Sequence, residues 1–305
     1  MFITERPFMG EPDWPLIASA LDALPANARH VIDLPYRLSS PPMQTGENAR
    51  LWLDDAGQIA GFAAWQRYWA VLDFFTLPSP QRGEIENAIF TWALPRFRAM
   101  DAARGRPLPY WAEYREDDTE RGDLLVAHGF TLDEDYQYVQ LHHPLGEALP
   151  VVSAPQGITI RPLVGEREVA AYVALHRAAF ESESMTQDWR ERTLRAPHHL
   201  PEIDLVAETE DGALVGFCLG WFDAAHRQGQ VEPVGVAPGY HGRGIGRALL
   251  SEMLRRFAAL GAERVIIETE STRSPALRLY ESVGFRPQYA IVLKGRWAMR
   301  KDTGG

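Results

Sequence analysis

Apolar and polar positions along residues 157–297 follow two different periods, which predicts a mixed α/β domain. Residues 157–162 alternate as a strand does, and Glu166 to Phe180 carries apolar residues at helical spacing. Further strands are predicted at 204–209, 213–222, 228–237, 264–270 and 285–297, a long helix at 243–260 and a short helix at 274–283. This order predicts an antiparallel meander that leads into a strand–helix–strand unit.

The first half of the chain repeats this pattern. Three pairs of anchors recur in the same order: Gly61-Phe62 with Gly216-Phe217, Pro78 with Pro238, and residues 124–130 with 279–285. Their offsets are 155, 160 and 155 residues, which indicates a duplicated unit. We therefore expect an α/β (α+β) protein of two tandem domains, 1–147 and 155–300, each with a mixed, mostly antiparallel sheet flanked by helices. The proline-rich stretch 144–155 is predicted to join them.

Composition narrows the class of protein. The 305 residues are 46% apolar and 24% charged, which is ordinary for a globular chain and excludes disorder and coiled coil. The formal charge of −10 disfavours nucleic-acid binding, and the single Cys218 excludes a disulfide framework and a cysteine-based zinc site. No apolar run approaches about 18 residues, and the first residues carry acids where a signal peptide needs bases. We expect a cytoplasmic monomer or homodimer without metal or membrane contact.

The sharpest local feature is the glycine-rich loop 239–247, which follows a strand and opens a helix. Gly242, Gly244 and Gly246 alternate with other residues, so backbone N–H groups can converge at the positive end of the helix. Such a loop favours a phosphate or diphosphate, and Arg243 and Arg247 add positive charge. A Walker A loop would require Gly-Lys-Ser/Thr, and a dinucleotide fold would require G-x-G-x-x-G and more chain after Glu268. Both are rejected.

Two signatures resemble the GNAT superfamily of acetyl-coenzyme A-dependent N-acetyltransferases. Residues 241–246 resemble its Gln/Arg-x-x-Gly-x-Gly/Ala motif, with His241 at the Gln/Arg position. Residues 273–285 resemble Asn-x-x-Ala-x-x-Leu-Tyr-Glu-x-x-Gly-Phe, with Arg273 at the Asn position. The resemblance spans 157–297 and implies acetyl-CoA as cosubstrate. It also implies that the strand Val234, Gly235, Val236 pairs with the pantetheine arm, and that the diphosphate is held by His241, Gly242, Arg243, Gly244, Ile245, Gly246 and Arg247.

Acyl transfer to an amine needs a base, donors for the oxyanion and a proton for the leaving thiolate. The family match makes Tyr280 the expected proton donor, although its helix position alone would suit a core aromatic. Period 2 puts Glu232 on one strand face with Val234 and Val236, so Glu232 is the expected base.

Other residues compete for these roles. In the resembled family the base is frequently two residues earlier, where this chain has Gln230, and Glu268 and Glu270 are further rivals. His176 and Trp189 are candidates for an acceptor pocket, with core packing as the favoured alternative.

The first domain lacks the counterparts of the glycine loop and of Tyr280. Aligning Pro78 with Pro238 puts Gln81 at His241, Glu84 at Gly244 and Glu86 at Gly246, so carboxylates stand where an anion would bind. Leu125 occupies the place of Tyr280. We expect the first domain to bind no coenzyme.

The predicted function is acetyl transfer from acetyl-CoA to a primary amine of a small molecule by direct attack, in the C-terminal domain. One alternative is a mycothiol-synthase-like enzyme, because that family also resembles a tandem GNAT with an active C-terminal half. The other is a coenzyme sensor or interaction module that binds acetyl-CoA without turnover.

Overall fold

The computed structural model describes residues 2–25, 31–104, 110–146, 149 and 152–296. Contacts divide the chain into two compact units. Unit 1 comprises Met1–His30, Pro42–Tyr138 and Ala290–Gly305, and unit 2 comprises Val31–Pro41 and Val139–Tyr289. The domain boundaries 1–147 and 155–300 stay a prediction. In the expected linker 144–155, residues 147, 148, 150 and 151 lie outside the described residues.

The elements predicted for residues 157–297 occur in the predicted order, and the structure adds a helix at Gln187–Arg195. The strands are β1 (Thr4–Pro7), β2 (Ala49–Leu53), β3 (Ile59–Gln66), β4 (Val71–Thr76), β5 (Tyr110–Arg115), β6 (Thr131–Pro144), β7 (Ile158–Pro162), β8 (Asp204–Thr209), β9 (Leu214–Asp223), β10 (Gln228–Val236), β11 (Arg264–Glu270) and β12 (Arg286–Arg296). The helices are α1 (Trp14–Ala23), α2 (Leu34–Leu38), α3 (Arg82–Arg104), α4 (Thr119–Ala127), α5 (Val169–Phe180), α6 (Gln187–Arg195), α7 (Ile245–Ala259) and α8 (Ser274–Ser282).

Unit 1 has the strand order β1, β2, β3, β4, β5, β12. Its pairs are antiparallel except for β4 and β5, which are parallel with Val71 opposite Trp111. The last strand comes from the C-terminal end of the chain, since Ile291–Arg296 pair with β5. Helix α3 covers an apolar core through Ile85, Ile89 and Phe90.

Unit 2 has the strand order β6, β11, β10, β9, β8, β7. Strands β7 to β10 form the predicted antiparallel meander. Strand β11 runs parallel to β10 after the connection through α7, which confirms the predicted strand–helix–strand unit. The unit therefore has one parallel pair at its centre, with α7 between the two strands in sequence.

The sheet of unit 2 carries helices on both faces. The predicted apolar stripe of α7 is buried throughout: Ile245, Leu249, Leu250, Met253, Leu254 and Phe257. Phe257 approaches β10 closely, because a Cβ at Gly229 would stand 2.7 Å from its ring. On the other face, α5, α6 and the segment Val31–Pro41 bury Tyr36, Trp189 and Trp221 in a second cluster.

A search of the described helices finds none that combines the length and the apolar character needed to cross a bilayer.

Candidate functional site

Strand β10 leaves its parallel neighbour halfway along its length. Its pairing with β11 runs from Gln228 to Gln230 and goes no further within the described strands. Its pairing with β9 continues to Val236, opposite Gly216. One edge of β10 is therefore open over its last residues, and an open edge presents unpaired backbone donors and acceptors.

The register shows which backbone groups lie on this open edge. The Ala237 amide donates to the Val215 carbonyl over 2.9 Å, so position 237 belongs to the hydrogen-bonded class of pairs. Because these classes alternate along an antiparallel ladder, Gly235 is in the same class, whereas Val234 and Val236 direct their N–H and C=O groups away from β9. One of these groups is engaged, since the Nε2 atom of His241 lies 2.9 Å from the Val236 carbonyl oxygen.

The glycine loop is preorganised for an anion. Gly242 and Gly244 have φ angles of 74° and 83°, which other residues adopt only with strain. The space beside both is open, since a Cβ at Gly242 would meet nothing within 4 Å and one at Gly244 only Pro155, at 4.0 Å. Gly244 is the N-cap of α7, and the first N–H groups of that helix, from Ile245 onward, have no intrahelical acceptor.

The open edge and the loop line one cavity of about 620 Å³. Its wall includes nine of the ten residues predicted to bind the coenzyme: Val234, Gly235, Val236, His241, Gly242, Gly244, Ile245, Gly246 and Arg247. The tenth, Arg243, is not part of the wall, and its guanidinium carbon lies 4.7 Å from the centre of the Tyr240 ring. The wall also includes Tyr280, Arg273 and Phe180. Most of the residues that the family resemblance implied for coenzyme binding thus line one cavity, and their role stays a prediction.

Tyr280 is nearly buried at the end of α8, with its ring 6.3 Å from that of Phe285. Burial raises the pKa of the Tyr280 hydroxyl above its ordinary value, and the nearby Glu232 carboxylate raises it further. The hydroxyl therefore keeps its proton at neutral pH. It is a group that can donate a proton into the cavity.

The argument that put Glu232 on one face with Val234 and Val236 is wrong. The pairing with β9 shifts by one residue between Val231 and Val234, which is a β-bulge. The extra residue puts Val231, instead of Glu232, on the face that packs toward α7 with Val234 and Val236. Alternation cannot be carried across a bulge, because the bulge inserts a residue without a partner.

The surroundings of Glu232 nevertheless make it chemically unusual. Burial and the neighbouring Asp33 carboxylate raise the pKa of Glu232 to about 8, against the opposing effect of Arg37. The backbone at this point is held in place, since the Trp221 indole donates to the Glu232 carbonyl over 2.8 Å. A carboxyl group with a pKa near neutrality can exchange protons at working pH.

Gln230, at the position where the resembled family often has its base, and the rival base Glu268 both have other partners. Gln230 accepts from the amides of Ile32 and Asp33, over 2.6 and 3.2 Å, and so fastens the segment Val31–Pro41. Glu268 accepts a hydrogen bond of 2.7 Å from Gln140.

His176 and Trp189 lie in the core of unit 2. Burial lowers the pKa of His176 to about 4, so its ring is neutral, and it stacks on Phe217. Trp189 donates to the Tyr36 carbonyl over 3.1 Å. Neither lines the cavity, which agrees with the core packing that was favoured for them.

The segment Val31–Pro41 is a part of the site that the sequence did not reveal. It comes from the first half of the chain, yet it belongs to unit 2 and supplies Asp33 and Arg37, whose charges act on Glu232. Its local signals, a proline and an aspartate at the start of the short helix α2, indicate a turn or a helix start and carry no information on where the segment docks.

The corresponding region of unit 1 is built differently. Helix α3 begins at Arg82, three residues earlier than the alignment with α7 predicts, and the Ile85 amide donates to the Gln81 carbonyl over 3.0 Å. Glu86 forms an ion pair of 2.8 Å with Arg82. The cavity there measures about 130 Å³, and its wall carries the carboxylates of Glu86, Asp118 and Glu120. Leu125 is fully buried in the core.

Comparisons with known proteins show what the chain is similar to. Residues 169–285 match the model of the Acetyltransferase (GNAT) family. A protein from Thermomonospora curvata named mycothiol acetyltransferase is 33% identical over 201 residues, which cover 63% of this chain and 63% of that protein. Another of that name from Streptomyces griseus subsp. griseus is 32% identical over 192 residues and 61% of each chain. The chain thus matches somewhat less than two thirds of the length of these relatives.

Solved structures share the fold along nearly the whole chain. A tandem GNAT protein from the clavulanic acid biosynthesis pathway has a TM-score of 0.62 at 17% identity and covers 99% of this chain and 100% of its own. A GCN5-related N-acetyltransferase from Sphaerobacter thermophilus has a TM-score of 0.59 at 23% identity, with 98% and 96% coverage. The predicted fold class, two tandem GNAT-like domains with mostly antiparallel sheets flanked by helices, is confirmed.

The raised pKa of Glu232 predicts a pH-dependent stability. Between its ordinary value of 4.5 and its folded value of about 8, the unfolded chain is ionised while the folded chain holds the proton. The native protein therefore loses stability as pH rises through this interval and levels off above it. Glu232→Gln should remove that loss. The free energy of unfolding of Glu232→Gln minus that of the native protein should therefore increase between about pH 5 and pH 8.

Denaturant unfolding of both proteins across this range measures the effect. Glu281→Gln, the same exchange at an exposed position of α8, is the matched control. A difference between Glu232→Gln and the native protein that stays constant with pH would contradict the prediction.

Proposed function

We propose that the chain is an N-acetyltransferase that moves an acetyl group from acetyl-CoA to a primary amine of a small molecule by direct attack, in the C-terminal domain. One observation carries the proposal. The open edge of β10, the N-terminus of α7 and the hydroxyl-bearing Tyr280 all line one cavity of about 620 Å³. These are a donor–acceptor strand edge, an anion cradle and a proton donor, which are the parts that acyl transfer from a coenzyme requires.

The residues present fit acetyl-CoA. The positive φ angles and open space at Gly242 and Gly244 leave room for a phosphate against the backbone amides, and Arg247 on the cavity wall adds charge. The backbone groups of Val234 and Val236 that face away from β9, apart from the Val236 carbonyl that contacts His241, suit the amides of the pantetheine arm, and one of the N–H groups is our candidate donor for the oxyanion. When bound, the coenzyme supplies an acetyl group activated as a thioester.

Glu232 is the proposed general base. A protonated amine cannot attack, so the acceptor must lose a proton before or during the transfer. With a pKa of about 8, Glu232 is ionised in only a fraction of the molecules at neutral pH, so its capacity to accept that proton should rise as the pH approaches and passes 8. Tyr280 is the proposed general acid, since burial keeps its hydroxyl protonated until the leaving thiolate needs a proton.

We propose that unit 1 binds no coenzyme. Its helix uses the Ile85 amide internally, and the corresponding space is about one fifth as large. The carboxylates on its wall stand beside guanidinium groups, and Arg82 forms ion pairs with Glu86 and Glu120. A diphosphate there would meet side-chain charges that already have partners, instead of the free amides of a helix N-terminus.

A mycothiol-related acceptor is the second candidate, because the two relatives described above carry the name mycothiol acetyltransferase. A sensor that binds acetyl-CoA without turnover is the alternative from another class. Release of free thiol from acetyl-CoA, measured with a panel of amines that includes the amine precursor of mycothiol, separates all three. Turnover with simple amines supports the proposal, turnover confined to the precursor supports the second candidate, and binding without release supports the sensor.

Gly244→Glu, which copies the residue of unit 1, should lower the affinity for acetyl-CoA by at least about 100-fold, since it brings a carboxylate to the helix N-terminus. Calorimetry with acetyl-CoA measures the loss. Gly212→Glu is the matched control, because Gly212 has a φ of 85° and open surroundings in the β8–β9 turn of the same unit. Equal affinity in the two variants would remove the cradle from the proposal.

Tyr280→Phe should lower kcat by about 10²-fold or more, as expected when a general acid is lost, while the affinity for acetyl-CoA changes little. Steady-state thiol release and calorimetry on the same preparation give both numbers. Turnover at the native rate would return Tyr280 to a packing role.

A further inference from the structure

Arg278 is a charged residue on the wall of the cavity to which the proposed reaction gives no role. It lies within α8, and its side chain is exposed. Across the described part of the chain, its guanidinium group has no hydrogen bond or ion pair. An arginine that lines a cavity without such a partner is free to bind an anion there.

Helix geometry places Arg278 beside the glycine loop. Residues three and four apart lie on one stripe of a helix, so Arg278 shares a stripe with Pro275 and Leu279. Leu279 packs on the start of α7, because a Cβ at Gly246 would stand only 3.2 Å from its Cδ2 atom. The stripe that carries Arg278 therefore borders the loop, whereas Tyr280 lies on a neighbouring stripe of α8.

Arg273 is a second arginine of this wall, and it belongs to the stripe of Tyr280. It stands three residues before Ala276 and seven before Tyr280, as positions on one stripe do. Its side chain is also exposed and has no hydrogen bond or ion pair to any described residue. The two arginines of α8 thus border different parts of the cavity, and only Arg278 is beside the loop.

Arg278 joins Arg243 and Arg247 to make three cations around the glycine loop. Arg247 lines the wall, and the guanidinium of Arg243 lies over the Tyr240 ring. No ion pair to a described carboxylate involves any of the three. Elsewhere in unit 2, exposed and partly exposed arginines do pair with carboxylates, among them Arg161, Arg227, Arg255 and Arg256. Three unpaired cations in a chain of formal charge −10 favour a ligand with several negative charges.

The diphosphate of the coenzyme does not require all three cations, since the first amides of α7 and Arg247 are available to it. Coenzyme A has a further phosphate group, a monoester on the 3′-oxygen of its ribose, with a charge of about −1.5 to −2 at neutral pH. The same ribose links this group to the diphosphate, so the two belong to one end of the ligand. A guanidinium binds such a group through two parallel hydrogen bonds.

We infer that Arg278 binds the 3′-phosphate of the coenzyme and thereby makes the protein distinguish acetyl-CoA from acetyl-3′-dephospho-CoA. The inference rests on the proposed function and adds a specificity-determining residue to its coenzyme site. The α7 amides and Arg247 hold the diphosphate, which both ligands have. Arg278 makes a contact that only the phosphorylated ligand offers, so the dephosphorylated ligand leaves it without a partner.

Calorimetry of the native protein and Arg278→Gln with the two ligands tests the inference. The native protein should bind acetyl-CoA at least about tenfold more tightly than acetyl-3′-dephospho-CoA, a difference of about 1.4 kcal/mol. Arg278→Gln should bring this ratio within about twofold of one by weakening the binding of acetyl-CoA alone. The native ratio should also shrink as salt is added, because salt screens charge interactions near the surface.

Two control variants remove the same charge elsewhere. Arg273→Gln acts on the same wall and helix, on the other stripe, and should leave the ratio of affinities near its native value. Arg255→Gln acts on α7 at a side chain that is 62% exposed and paired with Glu252, and should leave both affinities near native.

Three results would overturn the inference: equal affinity of the native protein for both ligands, a ratio that survives in Arg278→Gln, or a ratio that is lost in Arg273→Gln instead. Equal weakening of both ligands in Arg278→Gln would assign the guanidinium to the diphosphate and would also overturn it. Failure of both ligands to bind would remove the proposed coenzyme site together with the inference. Binding without thiol release would count against the proposed reaction alone, because the ratio of affinities is measured without turnover.

Discussion

The parting of β10 from β11 after Gln230 is the constraint on which the site depends. A strand inside a sheet normally has both edges paired, and unpaired backbone groups shielded from water are costly. Here the edge of Val234 and Val236 opens onto a cavity, where a ligand can satisfy it. The N-terminus of α7 adds a second set of unpaired amides to the same space, and the glycines leave that space clear of side chains.

Burial then gives the acid–base groups their character. Glu232 and Tyr280 both have a raised pKa, and the Glu232 carboxylate makes Tyr280 more difficult to ionise. The effect is collective, because it also involves Asp33, Arg37 and Arg273, which come from separate parts of the chain. A site of this kind holds a proton near neutral pH on a carboxyl group that would lose it in water.

The two units have a similar topology but differ at the position of this site. Both have an antiparallel run of strands and a parallel pair, with a long helix between the two parallel strands. In unit 1 the helix starts three residues earlier and Arg82 pairs with Glu86, so the turn satisfies its own groups. In unit 2 the connection between β10 and α7 ends in three glycines, which provide no side chains to pair with one another. A few residues at a helix start thus separate the two outcomes while the fold persists.

The sequence by itself determined the elements and the local chemistry, because these depend on neighbours in the chain: the stripe of α7, the glycine turn before it and the position of Tyr280 on α8. It failed for residues that are far apart along the chain but close together in the structure. The bulge after Val231 broke the alternation used for Glu232, and that bulge follows from pairing with β9. The segment Val31–Pro41 belongs to unit 2, although the residues on either side of it belong to unit 1. Most of strand β12 belongs to unit 1, although the residues before it belong to unit 2. Only tertiary packing decided these placements, and with them the charges that set the pKa of Glu232.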